Sequence, residues 1–241
     1  MTASDETEDD RNTESKRLDA FVDAAFAFAV TLLLIAGAEP LTSLEGLKAA
    51  LKQIPASAAA FALVALFWSA HRDYGRMAPR RDGLSVLLSL AIVFSVLVYV
   101  FPLRMLVSSG LSWITGGWLP GAALIRTLGD LRDLFFLYGL GFAFLAGLFV
   151  VLFRQVAVHG DRLGAGQSDQ ARAKDFVAIW AICGATGLLS ALLAMFGPMR
   201  AAPWLPGMAF WVIPLAIWGR LLWRSRKAQA AAASPDADSP G

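Results

Sequence analysis

Few side chains in this sequence are equipped for chemistry, and those few sit where apolar segments begin or end. Asp23 lies behind Arg17 and Phe21 at the entry to a run free of charge, and Trp68 and His71 close the next such run. A carboxylate, an indole and an imidazole in those places can form an ion pair, pass a proton or tie two helices together through hydrogen bonds. Catalysis of the familiar kinds lacks its parts. There is no H-E-x-x-H, no G-x-S-x-G, no Walker motif and no cluster of carboxylates, so no enzyme is expected. Cys183, the single cysteine, lies inside an apolar run, so one chain can build neither a disulfide framework nor a cysteine-based metal site. No metal site and no cofactor are expected.

The elements that position these residues follow from hydropathy. Of 241 residues, 57% are hydrophobic and only 17% are charged, against roughly 25% charged in soluble proteins. The net charge is +2, and the basic residues fall in short clusters between apolar runs rather than in a stripe that tracks a phosphate backbone, so nucleic acid is excluded as a partner. A helix needs about 20 apolar residues to cross a hydrocarbon core of roughly 30 Å. Six segments qualify, near Phe21 to Ala38, Gln53 to Ala70, Leu84 to Leu103, Leu134 to Phe153, Phe176 to Met199 and Ala201 to Gly219. Pro102 is expected to end the third, Gly197 to Pro206 to hold the turn between the last two, and Pro214 to kink the sixth. The fold class is therefore all-α, a polytopic membrane protein of six helices.

Orientation comes from the loops. With the N-terminus inside, 15 Lys and Arg fall on the cytoplasmic side and 6 on the other (Lys48, Lys52, Arg104, Arg126, Arg132, Arg200), so both termini are expected in the cytoplasm. Ala36-Gly37-Ala38 has the form of a signal-peptidase site, but the preceding segment carries six acids from Asp5 to Glu14 where a signal peptide has a basic start. The acidic head 1–16 and the tail 228–241 have no apolar periodicity and read as disordered, leaving 17–227 as the membrane domain. The longest outside loop is expected between Ser108 and Arg132, with Trp113 and Trp118 at the headgroup level. The composition suits a bacterial inner membrane, with lipids as a partner.

The first span has two distinct sides. At about 100° per residue, Ala24, Thr31, Leu32 and Ile35 lie within about 60° of Phe28, below Arg17 and Phe21. Ala25, Ala29 and Ala36 form a strip of small residues that permits close helix approach. Asp23 points away from the Phe28 stripe and needs a partner, since an unpaired carboxylate in a membrane is costly. His71 is the first candidate, with Arg17 and Arg72, including those of another copy, as alternatives. The stripe by itself fits either packing against a neighbour or the lining of a pore, and Thr31 can spend its hydroxyl on the carbonyl one turn back.

The segment Arg17-x-x-x-Phe21-Val22-Asp23, continued by Ala24-Ala25-Phe26-Ala27-Phe28-Ala29-Val30-Thr31-Leu32-Leu33, resembles the first helix of bacterial homologues of transmembrane protein 175, with its R-x-x-x-F-S-D signature. Trp68-x-x-His71 is similar to the family's W-x-x-H-H, and Phe101-Pro102-Leu103 ends the third helix as in the family. The resemblance implies a homotetramer in which four first helices line a potassium pathway, with hydrophobic rings at Phe28, Leu32 and Ile35 and a hydroxyl from Thr31. It implies that Arg17, Phe21, Asp23, Trp68 and His71 form a polar knot supporting the pore helix. Three positions depart from the pattern: Val22 replaces a serine, Arg72 a histidine, and Phe28 a Leu or Ile. The expectation is a passive, potassium-preferring cation channel with no cofactor besides the permeant ion. The alternatives are a proton-coupled transporter using Asp23 and His71, and a non-conducting scaffold sealed by Phe28.

Overall fold

The computed structural model describes residues 3–35 and 43–214. Seven helices follow in order: α1 (Ala3–Ile35), α2 (Leu44–Lys52), α3 (Ile54–Met77), α4 (Gly83–Ile114), α5 (Leu128–Leu163), α6 (Gln167–Phe196) and α7 (Leu205–Met208), the last running into a 3-10 turn at Ala209–Trp211. Among the described residues, five helices are long and apolar enough to cross a membrane: α1, α3, α4, α5 and α6. Of the expected sixth span, the described part is a short apolar stretch, Leu205–Pro214, and the remainder lies outside the described residues, as do Ala36 and the tail 228–241.

The helix starts are written locally. The Asp82 side chain accepts from Ser85 N at the head of α4. Thr127 and Asp130 exchange side-chain and backbone hydrogen bonds at the head of α5, and Pro55 occupies the first turn of α3, where its missing N–H costs nothing. The ends run further than composition alone implies. Pro102 does not end the third span: α4 continues through it to Ile114 and stops at Thr115, before two glycines in left-handed backbone, Gly116 and Gly117. A proline removes one backbone hydrogen bond, which a membrane helix packed among neighbours tolerates. The outside loop is shorter in consequence, and Trp113 belongs to α4; it and Trp118 are both exposed. Helix α1 likewise starts at Ala3, within the acidic head that was expected to be disordered. His159 is exposed and sits at a kink inside α5.

The core is a column of aromatic rings. Phe67 of α3 stacks on Phe149 and Trp180 and meets Tyr99 and Phe142 at an angle, and Phe149 lies 4.3 Å from Trp180 at 14° between planes. Phe153 and Phe176 stack at 4.5 Å below them. Helices α5 and α6 cross closely because Gly139 and Gly187 face each other. A methyl group built on Gly187 would come within 2.7 Å of the Gly139 carbonyl oxygen, and one on Gly139 within 2.6 Å of that of Gly187. Helix α1 packs on α3 and α4 alone among its larger contacts.

The crossing makes a paired prediction. Gly187→Ala forces the two backbones apart and should lower stability by about 1–3 kcal/mol, whereas Gly147→Ala, on the same helix as Gly139 with open space at its Cβ position, should be neutral or stabilising by up to about 1 kcal/mol. Thermal unfolding of the detergent-solubilised protein measures both.

Candidate functional site

Helix α1 buries one face and leaves the other uncovered. Val22, Phe26, Ala29 and Leu33, spaced by three and four residues, are at most 4% exposed and join the core. Ala25 and Val30 flank that face and are partly buried against it. On the opposite side Phe28 is 55% exposed and Ile35 62%, with Phe21, Ala24 and Thr31 exposed between and above them. Leu32 is intermediate and touches the core from the edge of the stripe. The hydroxyl of Thr31 donates to the Ala27 carbonyl at 3.1 Å, which leaves its oxygen lone pairs free to accept.

The end of α1 that enters the bundle is fixed by two acids one turn apart. Asp23 accepts a hydrogen bond from the Trp68 indole, Nε1 to Oδ1 at 2.7 Å, and the Arg72 guanidinium lies over that indole, 5.1 Å from the ring centre. The partner of Asp23 is therefore Trp68, and His71, expected to pair with it, turns instead toward α4. Its Nε2 lies 2.9 Å from Ser89 Oγ and the ring is buried. The reason is geometric: Trp68 and His71 stand three residues apart on α3, and the long indole reaches α1 while the imidazole fits against α4. Arg72 contributes through the ring of Trp68. Arg17 and Phe21 are exposed.

Sequence reasoning missed the second acid. Asp19 pairs with Arg81, whose Nη2 lies 2.9 and 3.3 Å from its two carboxylate oxygens and whose side chain is only 4% exposed. Arg81 also donates to the Ala78 carbonyl and lies 4.9 Å over the Tyr74 ring. Tyr74 donates to Ser85 Oγ at 2.7 Å, and Ser85 reaches Asp82 at 2.5 Å and Gln155 at 3.3 Å. The ion pair thus joins α1 to α3, α4 and α5. Gly75 makes room for it, since a Cβ there would sit 3.1 Å from Arg81 Nη2. The one available signal was the spacing of Asp19 and Asp23, which puts both on one side of α1. A polar cavity of about 270 Å³, lined by Asp19, Asp23, His71, Arg72, Gly75 and Arg76, lies beside these contacts. Val22, where the motif has serine, is wholly buried in apolar surroundings and takes no part in them.

Comparison with known proteins gives concordant matches. Residues 17–102 match the family model described as the endosomal/lysosomal potassium channel TMEM175. A protein of Marivirga tractuosa named "Potassium channel" is 35% identical over 107 residues, which is 44% of this chain and 42% of that relative, so the match spans less than half of the relative's length. The crystal structure of a variant of the potassium channel MtTMEM175, in complex with a Nanobody-MBP fusion protein, superimposes with a TM-score of 0.71 at 25% identity, covering 86% of this chain and 93% of that one.

A double-mutant cycle tests the anchor. Trp68→Phe keeps an aromatic ring, though a smaller one, and removes the donor to Asp23, and should cost about 1–2 kcal/mol in thermal unfolding. Combined with Asp23→Leu it should show a coupling of at least about 0.5 kcal/mol, while His71→Ala with Asp23→Leu should be additive.

Proposed function

We propose that the chain is a member of the TMEM175 family, whose model matches residues 17–102, and that it is a passive, potassium-preferring cation channel built from four copies around α1. The observation that carries the reading is the uncovered face of α1: Phe28 and Ile35 are more than half exposed, directly opposite the face that packs on α3 and α4. Four such faces around an axis give rings of Phe28, Leu32 and Ile35, a hydrophobic constriction that opens and closes to water by small changes in width. Thr31 supplies four hydroxyl oxygens between the rings. Their protons are engaged with the Ala27 carbonyls, so the lone pairs face the cation. The acids of α1 are occupied in anchoring it, Asp23 by Trp68 and Asp19 by Arg81, which suits a scaffold role for them rather than ion binding.

The protein is proposed to sit in a bacterial inner membrane with six spans, its two termini cytoplasmic, in keeping with the distribution of Lys and Arg. A transporter using an Asp23 to His71 proton relay is less well supported, because Asp23 is bonded to Trp68 and His71 to Ser89.

Potassium flux into liposomes checks the proposal. The purified protein should pass potassium faster than sodium, Phe28→Ala should raise the flux, and Phe28→Leu should fall between the two. Absence of flux from wild type and both variants would leave the non-conducting scaffold as the better reading.

A further inference from the structure

The far end of α1 is held by a buried arginine. Arg104 lies in α4 two residues beyond Pro102 and is 8% exposed. Its Nη1 donates to the carbonyl oxygen of Leu33 and, at 3.0 Å, to that of Leu34, while Nη2 donates to Gln53 Oε1 at 2.6 Å. Leu33 and Leu34 belong to the last described turn of α1, and Gln53 joins α2 to α3. A guanidinium carries five N–H donors, so it can serve two backbone carbonyls and a side-chain oxygen at once. A charged side chain in a membrane-spanning helix is otherwise costly.

We propose that Arg104 is a positioning residue that fixes the rotation of α1 about its own axis, and so selects which side chains of its last described turn face the axis of the channel; this rests on the pore reading above. The argument is directional. Successive carbonyl oxygens of a helix are set about 100° apart around its axis. A guanidinium nitrogen bridging two of them loses one bond if α1 turns either way. The apolar packing of Val22, Phe26, Ala29 and Leu33 sets the same face inward but resists a small turn less sharply, since burial is non-directional whereas hydrogen bonds weaken steeply off axis. Because the guanidinium is planar, its third bond to Gln53 ties this setting to the start of α3. Asp19 and Asp23 fix the opposite end of the same helix, so α1 is held against rotation at both ends of the stripe. Leu34 and Ile35 are the adjacent exposed side chains, 55% and 62%, whose places a turn of the helix would exchange.

The test uses the full chain with Cys183→Ala, carrying Ile35→Cys or Leu34→Cys, in liposomes. The rate of modification by a water-soluble thiol reagent and the potassium flux are both measured. With Arg104 present, Ile35→Cys should react several-fold faster than Leu34→Cys. Arg104→Gln should shrink that ratio and change the flux several-fold while the oligomer elutes unchanged, with Arg104→Lys intermediate. Should Arg104→Gln fail to assemble, Gln53→Ala removes a single acceptor and should shift the ratio in the same direction by less. A ratio that stays constant in every variant that assembles would overturn the positioning role. If wild type passes no potassium, the channel reading falls, and the modification ratio still decides separately whether Arg104 sets the rotation.

Discussion

A helix that packs through a single face must leave the opposite face to something other than its own chain. In α1 the packed face is a row of four residues, Val22, Phe26, Ala29 and Leu33, and everything else about the molecule follows from how that row is satisfied. The small Ala29 lets α1 lie close to its neighbours, α3 and α4 close over the row, and Phe28, Thr31 and Ile35 are turned outward by the helical repeat. In lipid there is no hydrophobic force to hold such a helix in place, so packing and buried hydrogen bonds must do it. Trp68, Arg81 and Arg104 supply those hydrogen bonds to α1.

Those polar contacts divide into two groups at the ends of the helix. At one end Asp23 meets Trp68 and Asp19 meets Arg81, and the latter pair is tied through Tyr74 and Ser85 to α4 and α5. At the other end Arg104 takes the carbonyls of Leu33 and Leu34. Between them lies an apolar stretch with a single hydroxyl group, Thr31. The aromatic column of Phe67, Phe149 and Trp180 and the glycine crossing of α5 and α6 form a stiff body behind α1, on which both sets of anchors are mounted. A rigid support is what keeps a row of side chains in register, since close-packed interiors have few continuous deformations open to them.

Hydropathy made five spans legible because the bilayer dictates their length. The ends were less so: Pro102 reads as a stop in a soluble helix, but α4 passes through it among its neighbours. The stripe on α1 was readable from periodicity, because a helix has one geometry and the residues on each side follow from it. The partner of Asp23 was not. Trp68 and His71 both stood at the right level of α3, and charge favoured the imidazole, but which of two neighbouring side chains reaches across depends on the packing of α3 against α4, where Ser89 takes His71. Arg81 and Arg104 were legible only as charges on opposite sides of the membrane, because their partners are distant in sequence and one set is backbone, which has no sequence signature. The match to the family model spans residues 17–102, the part of the chain that holds the stripe and Asp23, Trp68 and Arg81.

The central claim is that the exposed face of α1 meets other copies of α1 rather than lipid. Phe28 and Phe94 are both strongly exposed on the single chain, 55% and 69%, and only their surroundings in the assembly distinguish them. Oxidative cross-linking in native membranes, with Cys183→Ala and a single cysteine replacing either Phe28 or Phe94, measures this directly. The account predicts rapid formation of covalent dimers with Phe28→Cys and little with Phe94→Cys; equal or absent cross-linking at the two positions would contradict it.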